Sequence, residues 1–128
     1  MVAAVYKKHR LYILVVDDYP DNSESLAMLL RLDGHKVDVA YDGPQALEIA
    51  EAKHPEVVLC DITMPIMPGY EVAKRLRRRF GENILLIAIS AHGFSEDKKQ
   101  SAAAGFDFHL VKPANPTEVQ QLLQHFSG

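Results

Sequence analysis

Short apolar runs alternate five times with amphipathic stretches along this chain, and no other feature restricts its fold as much. The runs are Tyr12–Val16, Lys36–Ala40, Val57–Cys60, Ile84–Ile89 and Phe108–Val111. Three of them are nearly continuous in apolar residues, the pattern of strands covered on both faces. Between them, apolar residues recur at helical spacing. In the first such stretch Leu26, Leu29 and Leu30 share a face, Asp21 and Glu24 form a capping-box pattern, and Gly34 suits a left-handed stop. The second runs from Pro44 to Lys53, with Pro44 fitted to the first helical position. The third opens near Gly69 and turns Val72, Ala73 and Leu76 inward, and the fourth runs from Ser95, an N-cap residue type, to Gly105. The last has Asn115 as cap, Pro116 at the first position, and Val119, Leu122, Leu123 and Phe126 on one face. Strand and helix in fivefold alternation predict an α/β fold: a parallel sheet between helical layers, joined by right-handed crossovers.

Length and composition narrow the class. A chain of 128 residues fits one domain and can bury a core without disulfides. No internal linker, repeat or low-complexity segment divides it. Residues 1–10 read as a lead-in without the apolar stretch of a signal peptide, and residues 11–128 as the domain. The net charge of −3 offers no basic footprint for nucleic acid. The lone cysteine, Cys60, cannot form an internal disulfide and reads as a small core residue, in keeping with a reducing, cytoplasmic setting. No apolar run approaches the roughly 18 residues of a membrane span, so no membrane contact is expected.

The ends of the apolar runs carry the chemistry. Asp17 and Asp18 follow the first run, Asp61 the third, Ser90 the fourth and Lys112 the fifth. Open α/β sheets bind ligands just beyond the carboxyl ends of their strands. Taken singly, each residue has an ordinary explanation: a helix cap, a strand-end turn, a satisfied loop hydroxyl, a surface lysine. Together they place three acids, a hydroxyl and an amine at one edge. Two carboxylates about 4 Å apart repel by roughly 4 kcal/mol at an effective dielectric near 20, so such a cluster calls for a cation, a shared proton or a reactive role. Hard oxygen ligands suit Mg²⁺. With a lysine and a hydroxyl beside them, the acids look like a site for moving a phosphoryl group onto a carboxylate.

From Leu11 to Phe126 the chain resembles the receiver domains of two-component response regulators. The matching pieces are Ile13-Leu14-Val15-Val16-Asp17-Asp18, the run Asp61-Ile62-Thr63-Met64-Pro65-Ile66-Met67-Pro68-Gly69-Tyr70-Glu71, Ser90-Ala91, Ala104-Gly105-Phe106-Asp107 and Lys112-Pro113. The resemblance implies a flavodoxin-like, CheY-like (βα)5 domain with strand order 2-1-3-4-5. It implies that Asp61 is the phosphoacceptor for a histidine kinase or histidine phosphotransfer protein. Asp18, Asp61 and the backbone carbonyl of Thr63 would hold Mg²⁺ (or Mn²⁺) directly, and Asp17 mainly through water. Lys112 would contact Asp61 before the reaction and the phosphoryl group after it. Ser90, where relatives often carry threonine, would swing in to hydrogen-bond the phosphoryl oxygen and draw its loop along. Thr63 and His92 would flank the path of attacking water, and Lys112-Pro113 would be cis as in many relatives.

Two positions depart from the family pattern. His109 stands three residues before the lysine, where relatives usually place tyrosine or phenylalanine. An imidazole there can hydrogen-bond and can titrate near neutral pH. Ala114 replaces a bulkier apolar residue, which changes the setting of the face formed by the fourth helix and fifth strand. Met64 and Met67 are expected to pack within their loop. The basic run Lys74, Arg75, Arg77, Arg78 and Arg79 is expected to be a solvated helix face.

The resulting expectation is a phosphorylation-activated signalling switch, monomeric or weakly dimeric, whose own chemistry is limited to gaining and losing its phosphoryl group. It is not expected to be an enzyme, although a parent chain fused to a hybrid histidine kinase would be a kinase. With the chain closing on the fifth helix, no output domain is expected. A stand-alone regulator, a phosphorelay intermediate and the receiver of a hybrid kinase all remain open, and Phe108-His109-Leu110-Val111-Lys112-Pro113 looks like receivers attached to such kinases. A phosphorylation-independent docking module is a second reading, against which stands the full set of acids and lysine. An aspartyl-nucleophile phosphatase is a third. Those place an acid two residues after the nucleophile, where this chain has Thr63.

Overall fold

A computed structural model describes residues 10–91 and 95–127, without the side chains of 95–97 and 125–127. The lead-in before Arg10, His92 and the side chain of Phe126 therefore lie outside the described residues. Strands and helices alternate as β1 (Tyr12–Val16), α1 (Pro20–Leu32), β2 (Lys36–Ala40), α2 (Gly43–Lys53), β3 (Val57–Asp61), α3 (Gly69–Phe80), β4 (Leu85–Ser90), α4 (Ser95–Ala104), β5 (Phe108–Val111) and α5 (Pro116–Ser127). The five strands form one parallel sheet in the order β2-β1-β3-β4-β5. Strand addition changes direction between β1 and β3, which puts the switch point of the topology at the strand ends carrying Asp17 and Asp61.

The two-residue period of the strands divides the core. Leu14, Val16, Val58, Cys60, Leu86 and Ala88 face one side and pack against α2, α3 and Ala104 of α4. Ile13, Val15, Val57, Leu59, Leu85 and Ile87 face the other and pack against Ala27 and Leu30 of α1 and Val119 and Leu123 of α5. Each such aliphatic side chain stabilises the fold by roughly 1.5–3 kcal/mol through burial. The central strands are apolar without alternation because both of their faces are covered.

Strand ends differ slightly from expectation, and usefully so. Strand β3 extends through Asp61, and β4 runs one residue later than the apolar pattern suggests, because a 3-10 turn at Gly81–Asn83 delivers the chain to Ile84. Asp61 and Ser90 thus both belong to the sheet. Asp61 aligns with Ile89, and the Ser90 carbonyl accepts from the Lys112 amide at 2.7 Å.

Two local expectations are corrected. The Asp21–Glu24 capping box does not form. Pro20 starts α1 with its fixed φ, so Tyr19 is the N-cap without a side-chain bond, and Glu24 instead accepts from the Tyr41 hydroxyl. Nor are the α3 arginines all solvated. Arg77 turns inward and donates to the carbonyls of Gly81, Ile84 and Gly105 and to Asp107, joining α3 to the start of β4 and the end of α4. Pro44 is the second residue of α2, after Gly43, while the Asn115 cap and the glycine stops hold. Asp42 caps α2 through the Gln45 amide, Asn115 caps α5 through the Thr117 amide, and Gly34 and Gly105 take positive φ where α1 and α4 stop.

Candidate functional site at the carboxyl edge

Asp17 and Asp61 emerge from β1 and β3 side by side, and Asp18 follows at the surface. Carboxylate oxygens of Asp17, Asp18 and Asp61 all lie within 4.8 Å of one another. The buried pair is held from several directions. Asp17 Oδ1 accepts from the Tyr19 amide at 2.9 Å, and its Oδ2 lies 3.4 Å from Lys112 Nζ. Asp61, only 3% exposed, accepts from the Thr63 amide through Oδ1 at 2.9 Å and from Lys112 Nζ through Oδ2 at 2.8 Å. Two of the three acids thus face one lysine. The Lys112–Pro113 peptide is cis, as the resemblance implies.

The charge imbalance shows in the titration of the pair. Burial pushes the Asp61 carboxyl above the ordinary aspartate range, and Asp17 adds to that, although Lys112 and the Thr63 amide pull the other way. Burial alone would lower the Lys112 ammonium, but Asp61 and Asp17 outweigh it and leave Lys112 above the ordinary lysine value. One cation does not neutralise the cluster. A donor set of two buried carboxylates and one exposed carboxylate, converging within 4.8 Å, fits a hard divalent cation such as Mg²⁺.

Backbone packing fixes the loop that follows Asp61. The Gly69 amide donates to the Ile62 carbonyl at 3.0 Å, and a Cβ on Gly69 would stand 2.4 Å from the Asp61 carbonyl oxygen. Only glycine permits that approach. Within the same loop Ile66 has a φ of 72° and is 81% exposed, while Met64 is buried and Met67 packs against the core, as expected. Cys60 is buried in the core beside the site, where burial and the two aspartates push its thiol up, so it stays protonated and inert.

The other half of the edge is built from hydroxyls and an imidazole. Ser90 Oγ lies 2.6 Å from His109 Nε2, and His109 Nδ1 lies 2.8 Å from Ser101 Oγ on α4. Both hydroxyls belong to residues only 2% exposed. Sequence reading placed Ser90 and His109 here but missed Ser101. Its one signal is the three-residue spacing to Ala104, which marks the face α4 turns to the sheet. A cavity of about 330 Å³ opens between α1 and the β5–α5 connection, with Asp17 and Lys112 at one end and Leu26, Leu29, Pro113 and Ala114 in its walls. The small side chain of Ala114 contributes to that opening.

A doubly wound sheet with an acid cluster, a lysine and a hydroxyl at its switch point defines a class of phosphoryl-responsive signalling domains. The chain belongs to the response regulator receiver domain family, whose model matches residues 13–124. It is 36% identical over 115 residues to an uncharacterised 14.6 kDa protein of Leptolyngbya boryana, covering 89% of this chain and 88% of that one. It is 35% identical over 120 residues to the sensor histidine kinase RcsC of Escherichia coli K12, covering 94% of this chain but only 12% of RcsC. Among solved structures, chemotaxis protein CheY4 of Vibrio cholerae superposes with a TM-score of 0.85 at 29% identity, covering 91% of this chain and 98% of CheY4. The chain is thus a CheY-like receiver domain of the two-component, phosphorelay type, a signalling domain by class. Among the described residues no helix is long and apolar enough to cross a membrane.

Proposed function

We propose that residues 11–128 act as a phosphoacceptor switch in which Asp61 takes a phosphoryl group from the histidine of a kinase or phosphotransfer protein. The observation that carries this reading is the convergence of Asp17, Asp18 and Asp61 on one point with Lys112 Nζ 2.8 Å from Asp61. A carboxylate oxygen of Asp61 attacks the donor's phosphorus, a P–O bond forms, the P–N bond breaks, and the leaving imidazole takes up a proton. Holding Asp61 by the Thr63 amide and Lys112 fixes its orientation before the donor arrives. Lys112 then turns to the phosphoryl oxygens and offsets their charge. Asp18, Asp61 and the Thr63 carbonyl would hold Mg²⁺ or Mn²⁺, with Asp17 behind them, and the ion would neutralise charge on the transferred group. The Ser90 hydroxyl donates to a phosphoryl oxygen, and the response appears on the α4, β5 and α5 face, where Phe108 and Val111 are partly exposed. Thr63 and His92 set the lifetime by flanking the water path. The domain works in the cytoplasm as a monomer or weak dimer, either alone or within a hybrid kinase. Both settings have a counterpart in the two relatives that differ so much in length.

Transfer from a phosphorylated histidine donor tests the reading against the phosphatase alternative. One phosphoryl group per chain, lost in Asp61→Asn, is the expected result. Many turnovers per chain on small phosphate esters would instead make the protein a hydrolase.

A further inference from the structure

The cavity of about 330 Å³ between α1 and the β5–α5 connection lies beside the acid cluster and is not used by the chemistry proposed for Asp61. Val15, Ile89, Leu26, Leu29, Pro113 and Ala114 give it apolar walls, and Asp17, Asn22, Ser25 and Lys112 give it polar ones. We propose that this cavity binds a small amphipathic amine, with the ammonium on Asp17 and the apolar body between Leu26, Leu29 and Ala114. The proposal needs only the cavity and its charges, so it stands or falls apart from the phosphoacceptor reading.

Its volume lies at the small end of the roughly 300–1,000 Å³ span of ligand pockets, which suits one ring or a short alkyl chain. On α1, Asn22, Ser25, Leu26 and Leu29 recur at one-face helical spacing, with the polar pair at the end nearer Asp17. Seven residues of helix span about 10 Å, the length of a ring with a two-carbon arm. Leu29 is 43% exposed, so the cavity opens to solvent along α1. The charge of the polar end selects the head group. Lys112 Nζ stands 2.8 Å from Asp61 and 3.4 Å from Asp17, so its donors are directed at acids and are not offered to an anion. Asp18 adds a third carboxylate to the same cluster. Three carboxylates and one ammonium leave negative charge in excess, which repels an anionic head and attracts a cationic one. A carboxylate has about four acceptor sites, and the Tyr19 amide and Lys112 leave Asp17 with capacity for another donor. The ammonium brings three donors, and the Asp17 carboxylate, the Asn22 amide oxygen and the Ser25 hydroxyl are acceptors in the cavity lining. Asp17 is only 6% exposed, so its bond to a cation is little screened. An occupant would bridge α1 to the connection that follows Lys112, which gives the domain an input separate from any phosphoryl donor.

The test is a titration of the full chain with 2-phenylethylamine in Mg²⁺-free buffer, followed by amide ¹H–¹⁵N spectra. 2-Phenylethanol and phenylacetate serve as the neutral and anionic counterparts. The amine is expected to bind about tenfold more tightly than either, the scale of one charged hydrogen bond. Its shifts should centre on residues 15–17, 22–29 and 112–114. Asp17→Asn should bring the amine down to the level of the alcohol. Ala114→Leu, which fills the opening, should weaken the amine about tenfold by displacing its apolar body. Leu29→Ala removes a wall at a partly exposed position, should weaken it severalfold, and keeps the test decisive if Ala114→Leu does not fold. No shifts with the amine, or equal binding of amine and alcohol, would overturn the proposal. So would undiminished binding in the wall variants, which would put the amine on the outer acid surface instead of in the cavity.

Discussion

The carboxyl edge of the sheet has two halves of opposite character. Around β1 and β3, three carboxylates converge and two of them share one lysine, and burial drives Asp61 upward despite that lysine. Around β4 and β5, Ser90, His109 and Ser101 are uncharged hydroxyls and an imidazole whose nitrogens are both paired. The acid half is electrostatically unfinished, and a cation or a change of its charge pattern is what relieves it. The hydroxyl half is complete as it stands and can only be reorganised. On the proposed reading, chemistry belongs to the first half and readout to the second, and the differing charge balance is the physical reason.

Variants can break this division, beginning with the largest effect. Lys112→Ala removes the cation that faces both Asp61 and Asp17. Labelling should slow about a hundredfold, the scale of losing one charge-stabilising donor, yet stay detectable. The amide response of α4 should weaken, and an undiminished response would show that the readout bypasses the acid half. Gly69→Ala drives a methyl group into the Asp61 backbone, 2.4 Å from its carbonyl oxygen. The overpacked loop should cost about 2–3 kcal/mol, read as a lower urea midpoint, while the Ser90–His109 pairing persists in the ring spectra.

A pH series separates the halves more finely. Folding raises the Asp61 carboxyl, so the fold favours its protonated form. The stability this lends is present in full below the ordinary aspartate value of 3.8 and is lost as pH rises through the raised folded value. Urea midpoints taken with a chelator present should show that decline in the wild type and a shallower one in Asp61→Asn. Equal slopes would remove burial of Asp61 as a source of strain in the acid half. The smallest effect is expected at Ile66. A β-branched residue at a φ of 72° is costly, and 81% exposure means its side chain adds little packing. Ile66→Gly should gain about 1 kcal/mol in a denaturant titration, with labelling of Asp61 retained.

The acid half was legible in the sequence because each of its charges ends an apolar run, and an apolar run that must be buried fixes where its end lies. Asp17, Asp61 and Lys112 needed only the strand order to bring them together. Residues whose role depends on what crosses them were not legible. Gly69 looked like a helix start, and only the passage of the Asp61 backbone shows why it has no side chain. Arg77 sat in a basic run that does not say which arginine turns inward; the carbonyls of Gly81, Ile84 and Gly105 decide that. Pro20 overrode the Asp21–Glu24 pattern, a case of fixed φ prevailing over side-chain capping. Ser101 is one serine in a polar helix, and its contact with His109 depends on which strand α4 covers.

Intact mass after incubation with acetyl phosphate, with and without Mg²⁺, followed by mapping of the modified residue, addresses the acid half most directly. One added phosphoryl group per chain, dependent on Mg²⁺, located on Asp61 and missing from Asp61→Asn, is the predicted result. Equal labelling of Asp61→Asn, or a phosphoryl group mapped to any other residue, would contradict it.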